Sequence, residues 1–194
     1  GKWHKSSTGE KYEVINPANE EVLGQASKAS PEDVNKALLS AQKGLEVWKK
    51  TPPWQRAYVL RRIADKMREK QDILAKWMTL EVGKPFAEAK GEVNGAADIF
   101  EWNAEETKRI YGQTVESRFE DTRVHVYYQP VGVVAALVPW NFPLVLSARK
   151  ISTALAAGCS VIVKPDVITP GVVMEQVEIC RECGVPPGVV NLLS

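Results

Sequence analysis

The fold is decided by residues 132–165, which read GVVAALVPWNFPLVLSARKISTALAAGCSVIVKP. The apolar, β-branched run Val133–Val138 has the length and composition of a strand buried on both faces. Pro139 ends that strand, because proline cannot donate to a central ladder. Ser160–Lys164 is a second β-branched run of similar length. The stretch therefore begins and ends with a predicted strand.

Between these strands the sequence predicts a helix over Leu144–Ala157. Pro143 is typical of a first helical turn, and Gly158 is typical of the residue that closes one. Two parallel strands joined by a helix form a βαβ unit, and α/β proteins bind ligands in the crevice at the carboxyl ends of such strands. Three residues fall at those ends: Trp140, Asn141 and Lys164.

The chain before this unit predicts a ribbon followed by helices. The ribbon strands are Tyr12–Ile15 and Glu21–Ala26, and helices are expected after Ser30, after Thr51-Pro52-Pro53, over Ile73–Leu80 and from Phe86 to about Ile110. Apolar residues recur at helical spacing and predict two buried faces: Val34, Leu38, Ala41, Leu45 and Trp48 on the first helix, and Leu60, Ile63, Ala64 and Met67 on the second. Gly91 and Gly95 lower helix propensity, so we interpret them as sites of close helix packing.

A second ribbon precedes the βαβ unit. Its strand-like runs are Gln113–Arg118 and Val124–Gln129, and an isolated two-stranded hairpin is marginally stable in water. We therefore expect it to pair with another chain or with a missing segment. After the unit, Val172–Cys183 predicts a helix, and Val189–Leu193 predicts a third buried strand.

The composition excludes several classes of function. Twenty-five Lys and Arg against 24 Asp and Glu give a net charge of +1, so nothing indicates binding to nucleic acid or to an anionic membrane. The sequence has neither an 18-residue apolar run nor a secretory leader, and its three cysteines are typical of reduced thiols in the cytoplasm. His4 and His125 lack metal-ligand spacing, so no metal site is expected. Cys180 and Cys183 form a single C-x-x-C within a predicted helix, which we interpret as coincidence, and Cys159 as a core residue.

Several ordered motifs now carry a resemblance to a known family. They are Pro139-Trp140-Asn141-Phe142-Pro143, Ala154-Leu155-Ala156-Ala157-Gly158-Cys159, Val163-Lys164-Pro165, Gly184-Val185-Pro186-Pro187-Gly188-Val189-Val190-Asn191, Ile15-Asn16-Pro17 and Glu81-Val82-Gly83-Lys84-Pro85. Together they resemble the amino-terminal part of the NAD(P)-dependent aldehyde dehydrogenase superfamily. Within it, the pair Arg149-Lys150 and the stretch from Phe100-Glu101-Trp102 to Lys108-Arg109 resemble the succinate-semialdehyde dehydrogenases. The family's nucleophilic cysteine and general-base glutamate have no counterpart among these motifs.

The resemblance implies an α/β fold. We expect a Rossmann-like, doubly wound parallel sheet that is incomplete, with an N-terminal helical layer and a protruding β-hairpin. Residues 1–111 would form the ribbon and helices of the cofactor-binding domain, 112–130 an oligomerisation hairpin that joins subunits into a dimer or tetramer, and 131–194 the first βαβαβ part of the dinucleotide-binding domain. The catalytic domain would be absent.

The resemblance also implies the roles of individual residues. Asn141 matches the asparagine whose amide stabilises the oxyanion, although asparagine is also common in turns. Lys164 matches the lysine that binds the adenosine ribose. The remaining residues implied to bind the cofactor are Val138, Pro139, Trp140, Pro165, Asp166 and Val167. Val167 stands where the family often has a ribose-binding glutamate, so the cofactor could be NAD or NADP, depending on where Asp166 points.

The substrate is implied to be a small aldehyde. Arg149 lies eight residues after Asn141 on what we expect to be the same helix, within reach of the substrate, and an arginine fork suits a carboxylate such as that of succinate semialdehyde. A surface arginine paired with an acid is the other interpretation, and relatives that act on neutral aldehydes also carry arginine here. Two functions remain open: part of an aldehyde dehydrogenase, or a catalytically inactive binding or oligomerisation module.

Overall fold

The structure is a computed structural model and describes residues 2–194. In chain order its elements are β1 (Lys11–Ile15), β2 (Val22–Ser27), α1 (Pro31–Trp48), α2 (Pro53–Glu69), α3 (Gln71–Val82), α4 (Phe86–Thr107), β3 (Gln113–Glu116), β4 (Arg123–Val126), β5 (Val133–Leu137), α5 (Pro143–Ala156), β6 (Ser160–Lys164), α6 (Pro170–Glu182) and β7 (Val190–Leu192). This α/β arrangement confirms the predicted fold class.

The strands at the carboxyl-terminal end form a parallel sheet in the order β5-β6-β7. Val133 of β5 pairs with Ser160 of β6, and Val161 of β6 pairs with Val190 of β7. Helix α5 connects β5 to β6, and α6 connects β6 to β7, so the predicted βαβ unit and the predicted helix and strand that follow it are both present. The central strand β6 is the most buried of the three.

The prediction that Val133–Val138 is buried on both faces is wrong. Ala136 and Val138 are buried, but Ala135 and Leu137, on the opposite face of β5, are exposed, Leu137 by 67%. Side chains alternate between the two faces of a strand, and in the described part of the chain helices cover only one face of β5. β7 is likewise only partly buried, so the third strand is not the fully buried strand that we expected.

A layer of helices covers the inner face of the sheet. The predicted stripe on α2 is confirmed, because Leu60, Ile63, Ala64 and Met67 are all fully buried. Helix α4 is 22 residues long and contributes Phe100 to the same core. Trp48 is also buried there, and its indole Nε1 donates a hydrogen bond to the Leu155 carbonyl at 2.9 Å. The core therefore ties α1 and α2 to the helix of the first crossover.

The predicted buried face of α1 is partly wrong. Val34 and Leu38 are 47% and 40% exposed, whereas Ala41, Gly44 and Trp48 are buried. Position 44 has no room for a side chain because α1 lies against the turn at Gly188 there: an added Cβ on Gly44 would be 2.2 Å from the Gly188 carbonyl carbon. The start of the helix is as predicted, with Ser30 accepting a hydrogen bond from the Asp33 amide in a capping box.

The second ribbon is an antiparallel hairpin of β3 and β4 in which every strand residue is exposed. Its strands are shorter than the sequence runs suggested. Within residues 2–194, no helix combines the length and the apolar character needed to cross a membrane.

Candidate active site

The turn between β5 and α5 carries Asn141. It lies two residues before the first helical residue, Pro143, so the expectation that Asn141 and Arg149 share one helix is wrong. Both residues nevertheless line a single hollow of about 500 Å³, because Asn141 precedes α5 and Arg149 is exposed on its second turn. A polar amide and a guanidinium thus face the same cavity.

Two glycines of α4 shape the wall of this hollow. We interpreted Gly91 and Gly95 as signs of close helix packing, and that interpretation is wrong. An added Cβ on Gly91 would meet nothing within 4 Å, and on Gly95 it would make an ordinary contact of 3.6 Å with Val145 Cγ2. The absence of side chains at these positions leaves space beside Asn141 and Arg149.

The first turn of α5 is held by a buried carboxylate that the sequence reasoning missed. Glu92 of α4 accepts hydrogen bonds from the amides of Leu144 and Val145, at 3.0 and 3.2 Å. Lys84, just after α3, forms an ion pair with Glu92 and donates to the Asn141 carbonyl at 3.3 Å. Glu92 occupies the position three residues after buried Ala89, so helical spacing could have identified it as a buried acid.

Lys164 lies at the end of β6 and lines a second, larger hollow of about 910 Å³ together with Tyr12 and Val167. Its ammonium donates to the Pro165 carbonyl at 2.7 Å. Burial lowers the pKa of Lys164, and the negative charge of Asp166 partly opposes that effect. A partly buried cation at the rim of an open hollow is suited to binding a hydroxyl or an anionic group.

The residues after Lys164 form a tight turn. The Asp166 carboxylate accepts a hydrogen bond from the Ile168 amide at 3.0 Å, and Asp166 is not among the residues that line the larger hollow. Val167 is 54% exposed and does line it. The position at which the family often has a glutamate therefore presents an apolar side chain to the cavity.

The structure places the predicted site residues at neighbouring strand ends but in two hollows. The Val138 amide donates to the Lys164 carbonyl at 3.0 Å, so the turns that carry Asn141 and Lys164 start side by side. Their side chains line different cavities, whereas we expected one crevice. Val138 and Pro165 are buried and could reach a ligand only through backbone atoms, while Pro139 and Trp140 are exposed beside them.

A second buried carboxylate, Glu81 of α3, was also missed. It accepts hydrogen bonds from the amides of Gly171 and Val172, at 2.6 and 3.0 Å, at the start of α6. Burial raises the pKa of Glu81 to about 7, and the two hydrogen bonds oppose this shift. Burial raises the pKa of nearby Tyr12 to about 12, and the negative charge of Glu81 adds to the effect. Helical spacing from Leu74 and Met78 indicates that position 81 is buried.

The three cysteines are free thiols in the protein interior. Cys159 and Cys183 are 2% and 4% exposed, and Cys180 is fully buried. Burial is the largest influence on the pKa of Cys180 and of Cys183 and raises both. A thiol must ionise and be accessible to act as a nucleophile, so these residues are core residues rather than catalytic ones.

Comparison with known proteins defines the class of this protein. Residues 3–194 match the aldehyde dehydrogenase family, and the chain belongs to that family.

Two of its relatives act on semialdehydes. The NADP⁺-dependent succinate-semialdehyde dehydrogenase of Escherichia coli (strain K12) is 44% identical over 194 residues, and the glutarate-semialdehyde dehydrogenase of Pseudomonas putida is 43% identical. The crystal structure of an Escherichia coli NADP-dependent enzyme superposes with a TM-score of 0.98 at 44% identity. Each alignment covers the whole of this chain and 40% of the other protein, so the chain spans about two-fifths of the length of these relatives.

Proposed function

We propose that this chain is the cofactor-binding part of an NAD(P)-dependent aldehyde dehydrogenase whose substrate carries a carboxylate at the end opposite the aldehyde. The observation that carries the proposal is that Asn141 and Arg149 line the same hollow. The names of two relatives support the substrate class, because succinate semialdehyde and glutarate semialdehyde both have this form.

The proposed role of Asn141 is to stabilise negative charge. When a nucleophile adds to the aldehyde carbon, the carbonyl oxygen becomes an oxyanion, and a positioned amide N–H strengthens its hydrogen bond as that charge develops. The nucleophile itself would come from outside residues 2–194, because the three thiols described here are buried. This part of the enzyme would therefore orient the substrate and stabilise the oxyanion.

The larger hollow fits the adenosine half of a dinucleotide. The Lys164 ammonium borders it and can donate to a ribose hydroxyl, and exposed Val167 adds apolar surface at the position where a glutamate would repel a 2′-phosphate. Elsewhere the hollow is lined by both acids and cations: Glu10, Glu13, Glu81, Lys11 and Lys28. The Asp166 carboxylate is engaged by the Ile168 amide. When bound, the nicotinamide would accept the hydride that leaves the aldehyde carbon. These features support NADP as well as NAD.

Arg149 is the proposed anchor for the substrate carboxylate. It is exposed on α5, and among residues 2–194 no acid forms an ion pair with it. This favours a guanidinium that is available to a ligand over an arginine that serves in a surface ion pair. A guanidinium can donate two parallel, charge-assisted hydrogen bonds to one carboxylate. A neutral aldehyde of the same length would gain nothing from it.

The test compares succinate semialdehyde with butanal in the enzyme encoded by the complete reading frame. We expect the parent to prefer the semialdehyde, and we expect Arg149→Ala to lower kcat/KM for it by about tenfold to a hundredfold while butanal changes less than twofold. Arg181→Ala is the matched control, because Arg181 is an exposed helix arginine paired with Glu178. A parent that prefers butanal, or a preference that survives Arg149→Ala, would contradict the proposed substrate class.

The second candidate is a catalytically inactive module that binds or oligomerises. The fully exposed hairpin favours an oligomeric role, and we propose that residues 112–130 join copies into a dimer or tetramer in either case. The two candidates differ in Asn141, since an inactive module has no need for an oxyanion donor. The free thiols support a reducing compartment such as the cytoplasm for both.

A further inference from the structure

We propose that Lys84 and Glu92 are positioning residues that set the orientation of Asn141 for catalysis. This role rests on the proposed function of Asn141, and both residues border the hollow that Asn141 lines. The turn between β5 and α5 is held by the buried ion pair of Lys84, which follows α3, and Glu92, which lies in α4.

Glu92 supplies the cap that α5 lacks. The residue before the helix, Phe142, makes no side-chain capping bond, so the first amides of α5 need an acceptor from elsewhere. One oxygen of Glu92, Oε1, accepts from both Leu144 and Val145. The Glu92 side chain is only 2% exposed, and a carboxylate at a helix amino terminus is also favoured by the helix dipole. The start of α5 is thereby anchored to α4.

Lys84 extends the anchor to Asn141 itself. Its ammonium binds the other carboxylate oxygen of Glu92, donates to the Asn141 carbonyl, and lies 3.9 Å from the centroid of the Phe142 ring. The Lys84 side chain is 10% exposed, so these contacts are shielded from solvent. Gly83 makes this approach feasible, because its φ of 75° turns the chain at the end of α3.

A role in orienting Asn141 explains the buried Lys84–Glu92 pair better than a role in stabilising the fold. Burying two charges costs desolvation free energy, and apolar side chains of similar volume are often as stabilising as a buried ion pair. An oxyanion donor, in contrast, loses most of its effect when it is displaced by about 1 Å. Lys84 also compensates the negative charge of Glu92, which would otherwise oppose a developing oxyanion near Asn141. The pair thus serves both the geometry and the electrostatics of the turn.

The experiment is a double-mutant cycle between Lys84 and Asn141 in the enzyme encoded by the complete reading frame. We expect Lys84→Met to lower kcat by about tenfold to a hundredfold, with the KM values for aldehyde and cofactor changed less than twofold. Lys84→Arg should restore most of the rate, because it keeps the charge. Lys84→Met combined with Asn141→Ala should be no slower than Asn141→Ala alone, since both changes disable the same donor.

A matched control separates this effect from the loss of any lysine. Lys90 of α4 also pairs with an acid, Asp72, at 2.8 Å and lies 5.5 Å from the centroid of the Phe86 ring, but it does not contact the turn. Lys90→Met should leave kcat within twofold of the parent. If Lys84→Met does not fold, Lys84→Met/Glu92→Gln carries the same prediction, because it removes both buried charges and keeps an amide oxygen as the acceptor.

The outcomes distinguish this inference from the proposed function. An unchanged kcat in Asn141→Ala would overturn the oxyanion role and this inference with it. A fall in Asn141→Ala together with an unchanged kcat in Lys84→Met, or losses that multiply in the combined variant, would overturn the positioning role alone. Hydrogen exchange gives a readout independent of activity: the amides of Leu144 and Val145 should exchange at least tenfold faster in Lys84→Met, and equal rates would contradict the inference.

Discussion

At the scale of single residues, side chains that would contact a ligand were easier to predict from the sequence than the buried side chains that hold the surrounding backbone in place. Asn141, Lys164 and Arg149 were predicted because each lies in or beside a local motif. Glu92 and Glu81 were missed because their partners are distant in sequence: Glu92 contacts an amide 52 positions away, and Glu81 one 90 positions away. No local pattern contains both partners of such a bond.

Glu81 leads to a prediction about pH. Its pKa rises from an ordinary 4.5 to about 7 in the folded protein, so between these values the folded state retains a proton that the unfolded state has lost. The contribution of protonated Glu81 to the free energy of unfolding is therefore complete below about pH 4.5 and is lost as the pH rises through 7. It amounts to about 3 kcal/mol at most. Nearby Tyr12 stays neutral in this range, because its pKa is about 12.

Urea unfolding between pH 5 and pH 8 measures this effect. We expect the parent to lose stability relative to Glu81→Gln as the pH rises, because glutamine cannot ionise. Glu88→Gln, which removes an exposed carboxylate of α4, is the control and should follow the parent. Parallel curves for the parent and Glu81→Gln would show that Glu81 is ionised in the folded protein throughout this range.

At the scale of elements, periodicity predicted α2, α3, α5 and β6 well, and it failed where burial depends on a neighbour. The apolar residues of α1 at helical spacing include exposed Val34 and Leu38, whereas Gly44, which has no side chain, is buried because it lies against the turn at Gly188. The composition of β5 indicated a strand but not that one of its faces is open. A residue's type shows what it could bury, whereas the neighbouring element decides whether it does.

Gly44 and Gly91 provide a matched pair of glycines in helices. An added Cβ on Gly44 would lie 2.2 Å from the carbonyl carbon of Gly188, whereas on Gly91 it would lie in open space. We expect Gly44→Ala to destabilise the protein by about 1–3 kcal/mol, because the backbone of α1 or of the turn must shift. Gly91→Ala should stabilise by up to about 1 kcal/mol through helix propensity. Urea unfolding checks both, and a stable Gly44→Ala would show that α1 can move away from the sheet without cost.

At the scale of the whole molecule, the fold class follows from one stretch of sequence because a βαβ unit leaves few choices of topology. Along the chain, α5 connects β5 to β6 and α6 connects β6 to β7. Helices α1 to α4 pack into the same core because each has an apolar face to bury. The sequence could not predict that Asn141 and Lys164 line separate hollows. That separation depends on how the side chains of α3, α4 and β1 fill the space around the two turns.

The hairpin gives a prediction about assembly. Val115 pairs with Val124, and Val126 lies on the same face as Val124, whereas Thr114 pairs with His125 on the opposite face. The three valines are 45%, 44% and 37% exposed, so one face of the hairpin is an uncovered apolar strip. Because such a ribbon is only marginally stable alone, we expect a second copy of the protein to cover this face.

Val124→Glu should weaken self-association by at least a hundredfold, about 2.7 kcal/mol, since it would bury an unpaired carboxylate. Sedimentation velocity over a concentration series measures the change, with Thr114→Glu on the polar face as the control. A parent that is monomeric at every concentration, or equal effects of the two variants, would mean that the apolar face is not where copies of the protein meet.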